Sequence, residues 1–381
     1  MMLHKLSGVV VALSLTLAAS AVQAVSYTAV DLSPAGFNYV DAWGVGGGQQ
    51  VGDGRTSDGL WHALLWTGSA ASAMDLTPSG DAYSAAYSLS NGQQVGYSRG
   101  VTTGGNSHAI LWSGNAASAV DLNPAGFSES YGLGGGGGQQ VGAGRHTSGG
   151  YSRALLWSGS AGSAVDLHPA GFYASFAQAV GGGQQVGYGY LAAYLDADQS
   201  HALLWSGTAA SAVDLHPTGF LKSWAYGVSD GRQVGYGEGS FPGLGGPNHA
   251  LLWSGSPASI VDLNPPDFFQ SFAFGISGGQ QVGYGNPGLM GGPDNALLWK
   301  GSAASVMDLH QFLPAQFPSS RAYGVDAQGN VVGWAYDAAW NHHAILWVPV
   351  PEPGSVAMLV AGVLCLLAFG VRRFIAAFRR R

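Results

Sequence analysis

The chain is poor in cysteine and in charged side chains, and each shortage excludes a class of protein. Its single cysteine, Cys365, lies beyond the repeated body of the sequence, so neither disulfides nor thiol chemistry is expected in that body. Charged residues make up only 9% of the 381 residues, which argues against long amphipathic helices. Residues 25–348 hold 8 basic and 20 acidic residues, a balance that repels phosphate backbones. We therefore expect no nucleic-acid partner.

Glycine and apolar residues are abundant instead. The chain has 62 glycines, and 46% of its residues are hydrophobic, including 12 tryptophans, which is too apolar for a disordered protein. A Leu-Trp pair recurs at intervals of 46, 45, 48, 48, 46 and 48 residues. These pairs end at Trp66, Trp112, Trp157, Trp205, Trp253, Trp299 and Trp347. Short strands repeated at such a period are typical of a β-propeller.

Each repeat contains four segments that read as short strands. In the copy from Ser211 to Trp253 these are residues 211–215, 224–228, 232–236 and 249–253, with Ser229-Asp230-Gly231 as a tight hairpin turn. An Asp-Leu pair and the glycine of a Gln-Val-Gly or Val-Val-Gly triplet keep the same period. The sequence predicts an all-β fold, a seven-bladed β-propeller of four-stranded repeats over residues 25–348.

The two ends of the repeat array are complementary. The strand at Val30 to Leu32 lacks a preceding Trp strand, and the strand at His343 to Trp347 lacks a following Asp-Leu strand. We expect these two strands to pair and close the ring, because closure hides both sheet edges. An open solenoid is the alternative, but it would need polar end caps that the sequence does not show.

The terminal segments predict export and membrane attachment. Residues 1–24 have a positive start, an apolar stretch and small residues before a cleavage site after Ala24, as in a secretory signal peptide. Near the other end, Pro351-Glu352-Pro353 precedes an apolar stretch at 355–371 and then Arg372-Arg373. That stretch is long enough for a transmembrane helix, with the arginines on the cytoplasmic side.

The order of motif, span and basic end over residues 349–381 resembles the PEP-CTERM sorting signal of Gram-negative bacteria. The resemblance implies an exosortase-type processing enzyme as partner, with Pro351, Glu352, Pro353, Arg372 and Arg373 as the sorting-signal residues. It also implies anchoring in the inner membrane, followed by release to the cell surface or the extracellular space. The repeats resemble extracellular HAF-type repeats, through His201-Ala202-Leu203-Leu204-Trp205 and the segment from Asp326 to Gly333.

The repeated aspartates are the most prominent carboxylates, and we predict a structural role for them. A catalytic pair needs two different environments, whereas these residues occur in equivalent places. Their expected partners open the Trp strands and share a hydrogen-bond donor: His62, His108, Arg153, His201, His249, Asn295 and His343. His168, His216 and His310 follow Asp-Leu pairs, where other copies carry Ser, Thr or Asn, and read as turn residues.

The remaining candidates for chemistry are weak. Asp196-Ala197-Asp198 lacks the glycine and glutamate of a calcium loop, and the glycines from Gly134 to Gly138 lack the lysine of a phosphate loop. His342-His343 should point to opposite faces of a strand. The acids Asp53, Asp58, Glu129, Asp196 and Glu238 are scattered. We expect no catalytic residues, no cofactor and no metal site.

The loops before the Trp strands vary in length, and several carry aromatic or acidic residues. Examples are residues 190–198, 238–247 and 286–294. Such loops gather on one face of a propeller, where we expect any ligand to bind. The sequence thus favours a non-enzymatic, exported surface or matrix protein with polysaccharide or another surface protein as ligand. The alternative is a propeller enzyme, a lyase or glycosidase, that acts on extracellular polysaccharide.

Overall fold

The computed structural model describes residues 26–191, 199–241, 244–288 and 292–350, and Tyr27–Pro349 form one compact unit. The predicted signal peptide, the predicted transmembrane stretch and the five sorting-signal residues lie outside the described residues. A search of the described part for a helix long and apolar enough to cross a membrane finds none.

The described residues form antiparallel strands in groups of four, which we call blades. The first three blades are β2 (Phe37–Gly46), β3 (Gln49–Thr56), β4 (Trp61–Trp66) and β5 (Met74–Asp75); β6 (Asp81–Ser90), β7 (Gln93–Gly100), β8 (Ser107–Trp112) and β9 (Val120–Asp121); and β10 (Phe127–Gly136), β11 (Gln139–His146), β12 (Arg153–Trp157) and β13 (Val165–Asp166). A single bridge between Trp61 and Tyr83 joins the first two blades into one sheet.

The next three blades repeat the pattern: β14 (Ala174–Gly181), β15 (Gln184–Tyr190), β16 (Ser200–Trp205) and β17 (Val213–Asp214); β18 (Phe220–Ser229), β19 (Arg232–Phe241), β20 (Leu244–Trp253) and β21 (Val261–Asp262); and β22 (Gln270–Ser277), β23 (Gln280–Asn286), β24 (Asn295–Trp299) and β25 (Met307–Asp308). The last blade contains β26 (Ser319–Val325), β27 (Val331–Tyr336) and β28 (His342–Val350), with β1 (Ser26–Asp31) as its outer strand.

Three-residue 3-10 helices are the helical elements of the described chain. They are Ala70–Ser72, Ala116–Ser118, Ala161–Ser163, Ala209–Ser211, Pro257–Ser259, Ala303–Ser305 and His310–Phe312. Six of them connect a Trp strand to the outer strand that carries the Asp-Leu pair. The fold is therefore all-β, with the repeated four-stranded sheets of a β-propeller.

The predicted pairing of the chain ends is confirmed. Strand β1 lies beside β28, and the backbone N–H of Leu32 donates to the carbonyl oxygen of Ala344 at 2.8 Å. The first strand thus completes the last blade. On its other side the last blade contacts the first, where the rings of Trp43 and Tyr323 lie 4.6 Å apart.

The Leu-Trp period arises from packing between neighbouring blades. Trp253 is fully buried in a cluster that combines Val186, Leu204 and Leu215 of one blade with Leu251 of the next. All seven repeated tryptophans are fully buried in the same way. Burial of large apolar side chains stabilises by roughly 1.5–3 kcal/mol each, so every blade depends on its neighbour.

The glycine of the repeated triplet has a steric cause. A Cβ atom on Gly235 would lie 1.8 Å from the carbonyl oxygen of Trp224 on the inner strand, and the equivalent glycines meet the same clash at 1.8–1.9 Å. The hairpin turns need glycine for a different reason, since Asp230 and Gly231 have φ values of 52° and 71°. Two consecutive positive φ angles define the type I′ turn that joins twisted strands.

A buried serine joins most blades to the preceding one. The Oγ of Ser223 accepts the backbone N–H of Ala202 at 3.0 Å, and five other blades place a serine in the same role: Ser84, Ser130, Ser175, Ser271 and Ser320. The first blade carries Val40 at this position. There Ser33 accepts the N–H of Ala344 instead, at 3.2 Å, and thereby preserves the bond across the closing seam.

Candidate functional site

The repeated aspartates have the structural partners that we predicted. The distances from Asp75, Asp121, Asp166, Asp214, Asp262, Asp308 and Asp31 to their donors His62, His108, Arg153, His201, His249, Asn295 and His343 are 2.6–2.8 Å. The second carboxylate oxygen accepts the backbone N–H two residues later, as from His216 to Asp214 at 2.8 Å. These contacts lie near the surface, since 48% of the Asp214 side chain is exposed.

The histidines after three of the Asp-Leu pairs contact the buried serines of the inner strands. His168 Nδ1 lies 2.8 Å from the Oγ of Ser175, and His216 and His310 contact Ser223 and Ser320 at 2.9 Å. Each serine oxygen also accepts a backbone N–H and is fully buried. No substrate can reach the hydroxyl of such a buried Ser-His pair. We therefore interpret these pairs as contacts that hold blades together.

Seven bulged residues, one on each inner strand, surround the axis of the propeller. The register of each inner strand skips one residue after the alanine or glycine opposite the repeated glycine, and the skipped residues are Trp43, Tyr87, Leu133, Gln178, Tyr226, Phe274 and Tyr323. A β-bulge redirects the extra side chain. All seven line one cavity.

Five of these residues form a continuous aromatic arc. Ring centroids lie 6.2 Å apart for Tyr87 and Trp43, 4.6 Å for Trp43 and Tyr323, and 5.0 Å for both Tyr323–Phe274 and Phe274–Tyr226. Leu133 and Gln178 complete the circle. Burial raises the pKa of Tyr87, Tyr226 and Tyr323, so these phenols are neutral.

The residue after each bulge must be small, because adjacent inner strands nearly touch at the axis. A Cβ atom on Gly275 would lie 2.6 Å from the carbonyl oxygen of Tyr323, and one on Gly227 would lie 2.7 Å from that of Phe274.

The cavity enclosed by these residues has a volume of about 740 Å³ and opens among the hairpin turns. We call this end of the propeller the hairpin side and the end with the loops before the Trp strands the loop side. Among the described lining residues Asp326 is the only charged one, and its oxygens accept the N–H groups of Gln328 and Asn330. The volume lies within the range of pockets for small ligands, and the lining combines the aromatic residues with glycines, polar side chains and the carboxylate of Asp326.

Charged groups lie behind this pocket at the seam between the last and first blades. Asp41 and Asp53 are register partners on β2 and β3 and are 7% and 8% exposed. His342 Nδ1 lies 2.9 Å from Asp41 Oδ1, and Trp43 Nε1 donates to Asp53. Burial, followed by the charge of Asp41, raises the pKa of Asp53 to about 8, although the Trp43 bond opposes the shift.

An arginine on the last blade lies at the adjoining seam, between the sixth and last blades. Arg321 Nε donates to Asp294 Oδ2 at 2.8 Å, and its guanidinium lies over the rings of Tyr284 and Trp334, at 4.2 and 5.0 Å from their centres. In other blades the positions equivalent to Asp41 and Arg321 are uncharged: Ala85, Tyr131, Phe176, Trp224 and Phe272. The charges are thus confined to one side of the axis.

The acids that the sequence analysis found scattered remain apart. Thr56 donates to Asp58, Glu129 lies 3.6 Å from Arg145, and Glu238 lies 3.0 Å from Lys222, while Asp196 falls outside the described residues. The sequence analysis missed the pairing of Asp53 with Asp41. In the described part of the chain no group of three or more His, Cys, Asp or Glu residues is arranged to hold a metal ion. His342 and His343 contact different aspartates, as predicted.

The cavity found among the described residues is not on the face where we expected a ligand to bind. The cavity lies on the hairpin side, whereas the variable loops lie on the loop side. Alignment of the repeats shows that each bulged aromatic residue precedes a small residue, nine positions before the repeated glycine and ten in the case of Tyr323, although it does not show the bulge itself.

No family model matches the chain, and no curated protein matches it. Among solved structures, the fold resembles the β-propeller domain of the Trilobed protease from Pyrococcus furiosus, with a TM-score of 0.53 and 10% identity over 82% of this chain and 95% of that chain. It also resembles puromycin hydrolase, with a TM-score of 0.53 and 12% identity over 82% of this chain and 55% of that one.

A third similar structure is a puromycin-hydrolyzing peptidase from Mycobacterium tuberculosis, with a TM-score of 0.53 and 13% identity over 83% of this chain and 52% of that one. This chain spans about half the length of these two hydrolases. At such identities the likeness shows the propeller fold alone.

These neighbours contradict the expectation of a non-enzymatic surface or matrix protein. The three propellers named above belong to a protease, a hydrolase and a peptidase. In the sequence, the sevenfold repetition of the Asp-Leu pair argued against catalytic carboxylates. That repetition does not include Asp41 and Asp53, which come together only through strand pairing and whose carboxyls differ in environment.

Proposed function

We propose that this chain is a seven-bladed propeller that handles peptides, binding uncharged apolar segments in its axial pocket as part of a peptidase-type activity. The observation that carries the proposal is the arc of five aromatic bulge residues around a cavity of about 740 Å³, in which Asp326 is the one charged residue of the described lining. Aromatic rings bind apolar side chains. The peptidase propellers of similar fold support the choice of peptide as ligand.

The test uses the full-length chain and two capped probe peptides, acetyl-Phe-Leu-Phe-amide and acetyl-Glu-Lys-Glu-amide. We expect calorimetry to detect binding of the first probe and not of the second, because the aromatic arc offers apolar surface and the described lining has no basic residue to pair with the glutamates. Phe274→Ala removes one ring of the arc and should weaken binding at least tenfold. Phe269→Ala is the matched control, since Phe269 belongs to the same repeat but is exposed on the loop side.

Mass spectrometry of the incubated probes measures cleavage in the same samples. Slower cleavage in Phe274→Ala than in Phe269→Ala would link the pocket to hydrolysis. Failure of the apolar probe to bind the folded wild-type chain would overturn the proposal. Thermal melts of both variants show whether a loss of binding merely follows a loss of folding.

We also propose, from the sequence, that residues 1–24 direct export and that residues 349–381 form a sorting signal with a transmembrane segment at 355–371. An exosortase-type enzyme would recognise Pro351-Glu352-Pro353, and Arg372-Arg373 would stay cytoplasmic. Fractionation of cells with Pro351, Glu352 and Pro353 replaced by alanine tests this proposal. An unchanged mass and an unchanged fraction would refute the processing step.

A further inference from the structure

Asp41 and Asp53 are exceptions to the repeat. The residues equivalent to Asp53 in the other blades are Tyr97, Ala143, Tyr188, Tyr236, Tyr284 and Trp334, none of which is charged at neutral pH. Six blades therefore fold without a carboxyl at this position. Two nearly buried carboxyls on directly opposed residues destabilise a fold, because burial and mutual repulsion both act against ionisation. Costly groups of this kind are typical of functional positions.

Asp53 is connected to the axial pocket through one contact. Trp43 Nε1 donates to Asp53 Oδ1, while the other side of the Trp43 indole lines the pocket. In the aromatic arc, the ring of Trp43 lies between the rings of Tyr87 and Tyr323. A shift of this ring would therefore change the wall that a bound apolar side chain contacts.

The groups that face Asp53 supply little positive charge to stabilise its carboxylate when it ionises beside Asp41. Asp41 faces it from β2, and the phenols of Tyr87 and Tyr97 face it from β6 and β7 of the next blade. His342 of β28 is held by Asp41. Arg55, on the same strand as Asp53, lies over the ring of Tyr39 at 6.0 Å.

We propose that Asp53 is a positioning residue of the axial pocket: its neutral carboxyl holds the Trp43 indole in the pocket wall, and ionisation beside Asp41 displaces that ring and weakens ligand binding. This inference rests on the proposed function, since it concerns the same pocket. When Asp53 loses its proton, two carboxylates face each other across β2 and β3 and must move apart or draw in water. The Trp43 N–H binds a carboxylate more strongly than a neutral carboxyl, so the indole follows Asp53 as the two carboxylates separate, and the pocket wall moves with it.

The experiment compares wild-type chain, Asp53→Asn and Asp267→Asn from pH 6 to pH 9.5, with acetyl-Phe-Leu-Phe-amide as the probe. The probe has no titratable group, so any pH dependence comes from the protein. Asparagine keeps the acceptor for Trp43 and cannot ionise. Asp267 is an exposed aspartate and controls for the loss of one negative charge. We expect the affinity of wild type and Asp267→Asn to fall by up to tenfold per pH unit above pH 8, and that of Asp53→Asn to stay constant.

A second readout needs no ligand and separates this inference from the proposed function. The indole N–H resonance of Trp43, assigned with Trp43→Phe, should titrate near pH 8 in the wild-type chain and not in Asp53→Asn. If the probe fails to bind at any pH but the resonance titrates, the proposed function fails while the Asp53–Trp43 coupling stands. A pH-independent wild-type affinity for the probe, an unchanged slope in Asp53→Asn, or no titration of the indole would overturn the inference.

Discussion

His343 Nδ1 on the last strand lies 2.8 Å from Asp31 Oδ2 on the first strand, 312 positions apart in the chain. The same contact occurs inside each of the other blades between residues 13 positions apart, as between His201 and Asp214 at 2.7 Å. The bond that stabilises the outer edge of a single blade is therefore used once more to close the ring. Closure removes the exposed edge that β28 would otherwise present for aggregation.

Removal of one of these carboxylates should have a modest cost. We expect Asp214→Ala to lower the free energy of unfolding by about 1 kcal/mol, since it removes the acceptor of His201 and of the His216 N–H, yet its side chain is half exposed. Chemical denaturation of the variant and the wild type measures the difference. A loss above about 3 kcal/mol would show that the carboxylate supports more than these contacts.

The pH dependence of that difference has a definite sign. Partial burial would raise the pKa of Asp214, but hydrogen bonds from His201 and the His216 N–H outweigh it and lower the pKa below its usual range. A lowered pKa contributes stability above the unfolded-state value near 4, and the contribution disappears as pH falls through the folded-state value. The gap between wild type and Asp214→Ala should therefore narrow below about pH 4.

Two glycine substitutions should have opposite effects. Gly235→Ala places a Cβ atom 1.8 Å from the Trp224 carbonyl oxygen and should destabilise by more than about 3 kcal/mol or prevent folding. Gly162 has no atom within 4 Å of a built Cβ, and five equivalent positions carry alanine: Ala71, Ala117, Ala210, Ala258 and Ala304. Gly162→Ala should stabilise by about 0.4–1 kcal/mol, because it restricts the unfolded chain. Thermal melts of both variants decide, and a tolerated Gly235→Ala would refute the bulge geometry.

Asp53→Asn should stabilise the protein increasingly with pH. A carboxyl with a folded-state pKa near 8 and an unfolded-state value near 4 binds an extra proton in the folded state between those limits, so wild-type stability falls as pH rises through that window. The variant lacks this penalty, so its free energy of unfolding should rise relative to that of the wild type by at most about 1.4 kcal/mol per pH unit. Denaturation at pH 5, 6.5 and 8 tests this expectation. A constant difference between the two proteins would contradict a neutral, buried Asp53.

The features of this fold that could be predicted from the sequence are those that recur in each repeat. The donors that open the Trp strands identified the partners of Asp31 and Asp214, because one chemical property recurred at one position. The unmatched strands at the ends predicted the closure. The apolar Leu-Trp period likewise indicated the packing between blades that buries Trp253.

The axial site could not be predicted in the same way, because it depends on where one repeat departs from the others. Asp41 and Asp53 are 12 positions apart and meet only through the register of β2 and β3, which includes a bulge at Trp43. Sequence periodicity does not show that bulge. The side chains of Trp43, Tyr226 and Phe274 line the cavity because each lies at a bulge of its own strand.

The measurement that tests the central claim most directly is the location of a bound peptide. A capped apolar peptide that carries a benzophenone side chain should, on irradiation, label the full-length chain at the axial pocket. Tryptic fragments analysed by mass spectrometry should carry the label at Trp43, Tyr226 or Phe274, and an excess of acetyl-Phe-Leu-Phe-amide should suppress it. Labelling confined to the loop side, or labelling that the competitor does not suppress, would contradict a peptide-binding axial pocket.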